Sequence, residues 1–341
     1  MDSERFNGAG WLVDRHVAAG GAGAVAFRGA GGVVTYGDLQ RATWTAARAL
    51  SEMGVGRGDR VILVIRDEPA FPAAFLGGLR LGAVPVPVST MLRPREVAAI
   101  AADSGAVAAV VSAAYAGHLA PMREASPGLK AAAVVGAAPG TEAGGLPVFD
   151  WDGFADGDEM DPAPTTASSP GFWLYTSGTT GTPKGAIHRH GDLRAVAETY
   201  GRHVLGIRAE DVCYSVAKLF FAFGLGNSLI FPLAVGASSV LDPEPPAPAR
   251  AGALLAEHRP TLFFAPPGFC AAMVDAGLPG DALATVRYTV TAGEALPAEI
   301  LRRFTERFGT EMLDGIGSTE ALHIFCSNHP GDVRPGTSGR P

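Results

Sequence analysis

An α/β fold with largely parallel sheets is predicted by three observations. Apolar runs of strand length alternate with segments of helical spacing along nearly the whole chain, the pattern that parallel sheets with crossover helices produce. Hydrophobic residues make up 47% of the 341 residues, enough for a substantial core. Glycine (45) and proline (26) together are roughly a fifth of the chain. That is rich in turns yet short of the roughly 25–30% that marks disorder.

The alternation begins with RVILVI at residues 60–65, which follows the turn GVGRGD and leads into helical spacing over 70–81. AVPVPVS comes next, and its prolines place it near a sheet edge or a bulge. A helix is predicted from about Arg93, then the β-branched run AVAAVVS. FWLYTS, DVCYSVA, SSVLD, TLFFAPP and VRYTVTAG follow, each leading into helical spacing. Residues 136–169 are rich in Gly, Pro, Asp, Ser and Thr without sustained periodicity and read as a connector. Residues 242–250 form a shorter loop before a helix over 251–258. Length suggests two domains, divided near residue 170 or 200: residues 1–170 as a first αβ subdomain with its connector, and residues 171–341 as a second.

Composition narrows the function. The net charge is −7, and no lysine or arginine cluster tracks a nucleic-acid backbone. An acidic chain can still hold a polyanion at a focused local site. Cys213, Cys270 and Cys326 are far apart, so neither a disulfide framework nor a zinc site is expected, and a reducing cytoplasm fits best. The start MDSERFNGAG has no basic stretch followed by an apolar one, so no signal peptide is expected. The longest alanine-rich tract is interrupted by Asp103, Gly105 and His118 and reads as helix, turn and strand rather than a membrane span.

Four stretches carry candidate chemistry. In YTSGTTGTPKGAIHRH, residues 175–190, glycines between two strands let backbone amides approach phosphate oxygens. Hydroxyls add donors and Lys184 a point charge. The Walker pattern fails, because Lys184 follows Pro183 and precedes Gly185, leaving no hydroxyl for Mg²⁺ beside it. AIHRH reads as another strand, so the plain alternative is a hydrophilic hairpin connection. In DGIGSTEALH, residues 314–323, STEAL looks like a helix start capped by Ser318 or Thr319. Glu320 would then complement the helix dipole or, more sharply, hold Mg²⁺. VTAGEALP ends a strand at Ala292, Gly293 and Glu294, a ledge suited to a flat ring or simply a strand-to-helix turn. KLFFAFGLGN clusters Phe220, Phe221 and Phe223 beside small residues, as core or as the wall of a flat apolar pocket. His323 lies just beyond Glu320, and a lone histidine is as readily a packed residue as a catalytic one.

Taken together and in this order, YTSGTTGTPKG, TAGEALP, GIGSTEALH and GTSGRP resemble the adenylate-forming superfamily of acyl-CoA synthetases, luciferases and peptide-synthetase adenylation domains. FNGAGWLVDRHV, KLFFAFGLGN and GIGSTEALHIFCSN look most like its benzoate-CoA ligase branch. The resemblance implies two packed αβ subdomains forming the large N-terminal domain of such an enzyme. It implies a reaction in two steps: a carboxylate attacks the α-phosphate of Mg·ATP, and coenzyme A then displaces AMP to give a thioester. By the resemblance, Thr176, Ser177, Gly178, Thr179, Thr180 and Lys184 cradle phosphates. Gly293, Glu294 and Ala295 line adenine, with Gly315 and Ile316 beside it, and Asp314 accepts from the adenine amino group. Thr319 contacts the α-phosphate and Glu320 binds Mg²⁺. Lys184, Thr319 and Glu320 are thereby the implied catalytic residues. Phe221 corresponds to a gating aromatic, and Ala222, Phe223, Gly317, His323 and Ile324 form the aryl pocket. The implied partner is a small aromatic carboxylate, with no nucleic acid or membrane, and the resemblance leaves room for a homodimer.

This chain departs from the family pattern in three ways. Ile316 stands where the superfamily often has an aromatic that stacks on adenine. Phe223 replaces a tyrosine expected in the benzoate branch, which opens the question of ring substituents. The sequence ends at GTSGRP, where family members continue into the rest of the large domain and a small C-terminal domain, a part that includes the adenylation lysine; the resemblance therefore implies an N-terminal portion, poorly active alone. Transfer to a carrier protein or other nucleophile, and a non-catalytic ligand-binding derivative, are the competing readings.

Overall fold

The chain organises itself around two sheets whose strands are the apolar runs of the sequence. The computed structural model describes residues 4–138, 143–154, 158–176 and 183–341. These residues fall into two compact units, one of residues 1–24 and 35–194, the other of residues 25–34 and 195–341. The strands in chain order are β1 (Val25–Gly29), β2 (Gly32–Thr35), β3 (Arg60–Val64), β4 (Val84–Pro87), β5 (Ala108–Ser112), β6 (Ala131–Val135) and β7 (Val148–Asp150). They continue with β8 (Pro170–Thr176), β9 (Lys184–Arg189), β10 (Val212–Ser215), β11 (Ser238–Leu241), β12 (Leu262–Phe264), β13 (Tyr288–Thr291), β14 (Glu311–Gly317) and β15 (Ile324–Ser327).

In the first unit a parallel sheet runs in the order β4-β3-β5-β6-β7. The proline-bearing β4 lies at its edge, as its missing amide donors require. Helix Pro94–Ser104 and the strands enclose a core of Ile62, Val64, Val97, Ile100, Val111 and Val134. Helix Tyr36–Glu52 starts on a capping box, with Thr35 Oγ1 accepting from the Asp38 amide and Asp38 Oδ2 from the Thr35 amide. The antiparallel hairpin β8–β9 also belongs to this unit, with β8 packed against β4. The compact division falls at 194/195, and the packing of β8 on β4 draws the hairpin to the first sheet. The 136–169 connector holds one strand that the sequence hid: β7 has three residues, too few for any periodicity to show.

In the second unit the sheet order is β15-β14-β13-β12-β10-β11-β1-β2. Pairing is parallel from β14 across to β1, and β15 returns antiparallel along β14. Between β10 and β12 the connections leave in opposite directions, which opens a crevice beyond the carboxyl ends of the strands. The amino ends are tied by one carboxylate. Asp211, just before β10, accepts from Thr261 Oγ1 (2.7 Å) before β12 and from Arg287 (2.7 Å) before β13. It also accepts from the Arg208 amide at 2.8 Å. Asp211 is 3% exposed, so these bonds replace water that it has lost. No helix among the described residues is long and apolar enough to cross a membrane.

Asp211→Ala should strip the bonds from Arg208, Thr261 and Arg287 and leave Arg287 half-buried without its carboxylate, costing about 3 kcal/mol. Urea unfolding checks this; a loss below about 0.5 kcal/mol would show that the tie does not hold the strand ends.

Candidate functional site

The carboxyl ends of four neighbouring strands come level in the second unit. Ser215 pairs with Phe264, Phe264 with Val290, and Thr291 with Asp314. The segments that leave these strands are 216–223, 265–266, 292–297 and 318–323, and three of them belong to candidate stretches of the sequence. A parallel sheet places such segments side by side, whatever their separation along the chain.

One end of this row is aromatic. His323 is 3% exposed. Its ring lies 5.5 Å from Phe223 in a stacked arrangement, 4.6 Å from Phe231 edge-on and 5.2 Å from Tyr200. Nε2 is 3.1 Å from Asn227 Oδ1. Burial pushes the His323 pKa down to about 3, although the Phe223 carbonyl works the other way. The imidazole is therefore neutral at pH 7 and acts as a flat, weakly polar wall. Its fit is set by a bare Cα: a Cβ on Gly226 would meet His323 Cδ2 at 2.4 Å. Phe223 also meets Phe264 edge-on at 6.4 Å. Phe221 is 43% exposed and packs edge-on against Phe220 at 4.8 Å, so its ring stands at the open side.

The glycines of GIG have a packing cause. A Cβ on Gly315 would meet Ile324 Cγ2 at 2.7 Å, and one on Gly317 would meet the His323 carbonyl oxygen at 2.5 Å. Both are bare so that β15 can return closely across β14. That return also overturns the predicted helix at STEAL. Residues 318–323 form a turn instead, in which the Leu322 amide donates to the Thr319 carbonyl at 3.0 Å and Leu322 takes a φ of +68°. Ser318 Oγ accepts from the Ala321 amide at 3.2 Å. Local capping chemistry is present, but pairing with β14 forces reversal before a helical turn can form. Glu320 consequently has no helix dipole to serve and is exposed, beside the half-buried Thr319.

Between these features lies Asp314, only 6% exposed. Oδ2 accepts from Ser338 Oγ at 3.3 Å, while Oδ1 is buried without a partner among the described residues. Burial raises its pKa to about 6, more than the bonds from Ser338 and the Gly315 amide lower it. A buried acceptor with a spare oxygen is a place for a ligand donor. On the next strand, Gly293, Glu294 and Ala295 form an exposed ledge. Gly293 has φ +96°, a conformation that demands glycine although nothing crowds its Cβ position. The Glu294 carboxylate is occupied, accepting from the Gly268 amide at 2.7 Å at the start of helix Pro267–Asp275. Ile316 follows, 50% exposed.

In the first unit Thr176, the last residue of β8, pairs with Lys184, the first of β9. Ser177, Gly178, Thr179 and Thr180 lie outside the described residues. Three contributors to the site went unread in the sequence: Tyr200 and Phe231, which carry no motif, and Asn227, which sits inside KLFFAFGLGN where it passes for a turn residue.

A family model described as AMP-binding enzyme matches residues 14–341. The chain belongs to the AMP-binding enzyme family. This AMP-binding chain is 42% identical over 341 residues to a benzoate–CoA ligase of Thauera aromatica, covering 99% of itself and 63% of that protein. It is 38% identical to a 4-hydroxybenzoate–CoA/benzoate–CoA ligase of Rhodopseudomonas palustris, covering 100% of itself and again 63% of the relative. Its fold matches a crystal structure of a benzoate CoA ligase from Burkholderia xenovorans LB400 with a TM-score of 0.88 at 41% identity, over 98% of this chain and 66% of that one. The AMP-binding chain thus spans a little under two thirds of the length of these relatives.

Because the folded Asp314 pKa lies near 6 and the ordinary value near 3.8, the folded protein holds this proton more tightly than the unfolded chain. The resulting stability is present below about pH 4 and is lost as pH rises through about 6. Asp314→Asn should therefore gain stability relative to the parent between pH 4 and 6. Urea midpoints at several pH values check this, and parallel pH profiles would contradict it.

Proposed function

We propose that this chain carries the carboxylate- and nucleotide-binding part of an ATP-dependent aryl-carboxylate activation leading to a coenzyme A thioester. The observation that carries the reading is the flat, neutral aromatic wall of His323 and Phe223 in the same row of strand ends as Asp314 with its free buried oxygen. The similarity to two aryl–CoA ligases supports the aromatic class.

The substrate ring lies against Phe223 and His323, bounded by Ala222, Gly317 and Ile324, with Phe221 over its carboxylate. The adenine amino group donates to Asp314, and the ring rests on the Gly293–Glu294–Ala295 backbone with aliphatic cover from Ile316 beside Gly315. Thr176, Ser177, Gly178, Thr179, Thr180 and Lys184 hold the β- and γ-phosphates, and Thr319 donates to the α-phosphate. A carboxylate oxygen then attacks the α-phosphorus, the bond to the bridging oxygen breaks, and pyrophosphate leaves. In the second step the thiolate of coenzyme A attacks the acyl carbon and AMP departs with its electron pair. Such a displacement asks the protein mainly for positioning and charge stabilisation.

Among the described residues no group of three or more His, Cys, Asp or Glu could hold a metal ion. A lone exposed Glu320 suits Mg²⁺, which takes most of its shell from phosphate oxygens and water. When bound, Mg²⁺ would neutralise phosphate charge, with Glu320 as its protein ligand. The free state of all three cysteines supports a reducing cytoplasm.

Calorimetry of the 341-residue chain should show benzoate and ATP binding, with long-chain fatty acids bound far more weakly. Tighter binding of fatty acids than of benzoates would sink the aryl assignment. Gly226→Ala should weaken benzoate binding by about tenfold or more through the displaced His323 ring, leaving ATP binding within about twofold.

A further inference from the structure

We propose that Asp103 is a positioning residue for the nucleotide site, acting through Tyr175 on the paired Thr176 and Lys184. The inference rests on the nucleotide reading above and concerns a residue outside every motif of the sequence.

Strand β8 is anchored on both faces. Phe172 and Leu174 are buried on one side, with Phe172 stacked on His188 at 4.9 Å and edge-on to Phe75 at 5.3 Å. Trp173 and Tyr175 pack on the other side, against the core of the parallel sheet. Tyr175 is the last of these anchors before Thr176. Its ring also fills the space of a side chain on the opposite strand, since a Cβ on Gly185 would meet Tyr175 Cζ at 3.2 Å. One tyrosine thus spans both strands one pair before the Thr176–Lys184 end of the hairpin.

The far end of that ring is held from outside the hairpin. Tyr175 OH donates to Asp103 Oδ2 at 2.5 Å. Asp103 lies in the last turn of helix Pro94–Ser104, where a carboxylate opposes the helix dipole. Helix formation therefore gives no reason for an acidic residue there; the bond to Tyr175 does. The same helix end is fixed by Arg60, whose Nε donates to the Ser104 carbonyl at 2.6 Å and whose guanidinium lies 5.9 Å from the Trp173 ring centre. Helix end, Arg60 and Asp103 form a bracket that grips the two outward-facing aromatics of β8. Burial and the Asp103 carboxylate both raise the Tyr175 pKa, so the phenol stays a donor through the physiological range.

The test compares Asp103→Asn, Asp103→Glu and Tyr175→Phe in the whole chain. Hydrogen exchange at the Thr176 and Lys184 amides should speed up about fivefold in Asp103→Asn and Tyr175→Phe, with global urea midpoints unchanged. ATP affinity should fall by a similar factor while benzoate affinity stays constant, and Asp103→Glu should restore both. A parent chain that fails to bind ATP would refute the nucleotide reading, and the exchange measurement would still judge the bracket. Unchanged exchange in both variants, or equal losses of ATP and benzoate affinity that track a lowered urea midpoint, would overturn the proposal.

Discussion

The register of the second sheet is the constraint on which the candidate site depends. Ser215, Phe264, Val290 and Leu313 reach the same level, with Asp314 one residue beyond beside Thr291, only because four parallel strands pair without slippage. A one-residue slip in β14 would turn Asp314 to the opposite face and carry the following turn with it. At the amino ends Asp211 ties the neighbouring strands, joining the segments ahead of β10, β12 and β13 through a single buried carboxylate. The candidate site sits at one end of the sheet and the Asp211 tie at the other.

A second theme is how much of the site is made by absence. Gly315 and Gly317 let β15 fold back closely, Gly226 lets an imidazole lie on a helical backbone, and Gly185 makes room for a tyrosine ring. In each case the missing side chain is replaced by a specific neighbour. Gly293 of the candidate site, with its positive φ and empty surroundings, is instead glycine for the sake of backbone conformation. Phosphate and ring ligands need exposed backbone, yet most of these glycines are explained by the protein's own packing.

Much of the fold was legible because parallel strands are buried on both faces and appear as short unbroken apolar runs. The edge position of β4 could be read from its prolines. The candidate stretches could be read because each begins where such a run stops. The turn at 318–323 could not, since Ser-Thr-Glu-Ala-Leu satisfies local helix rules and only pairing with β14 overrides them. Nor could Asn227, which meets His323 across 96 residues of sequence, or Tyr200, which approaches Ser327 across 127. Such contacts have no local pattern, so only the folded chain reveals them.

The contact between His323 and Gly226 also shapes how this family member can diverge. A wall pressed against a bare Cα has no slack: any side chain at 226 collides with the ring, and the ring is held in turn by Asn227 and three aromatics. Drift at that side is closed off. Phe223, half-buried and facing both His323 and Phe264, is the position left open to variation. On the proposed aryl reading, adaptation to a new ring would begin with the residue at 223 and keep the histidine fixed.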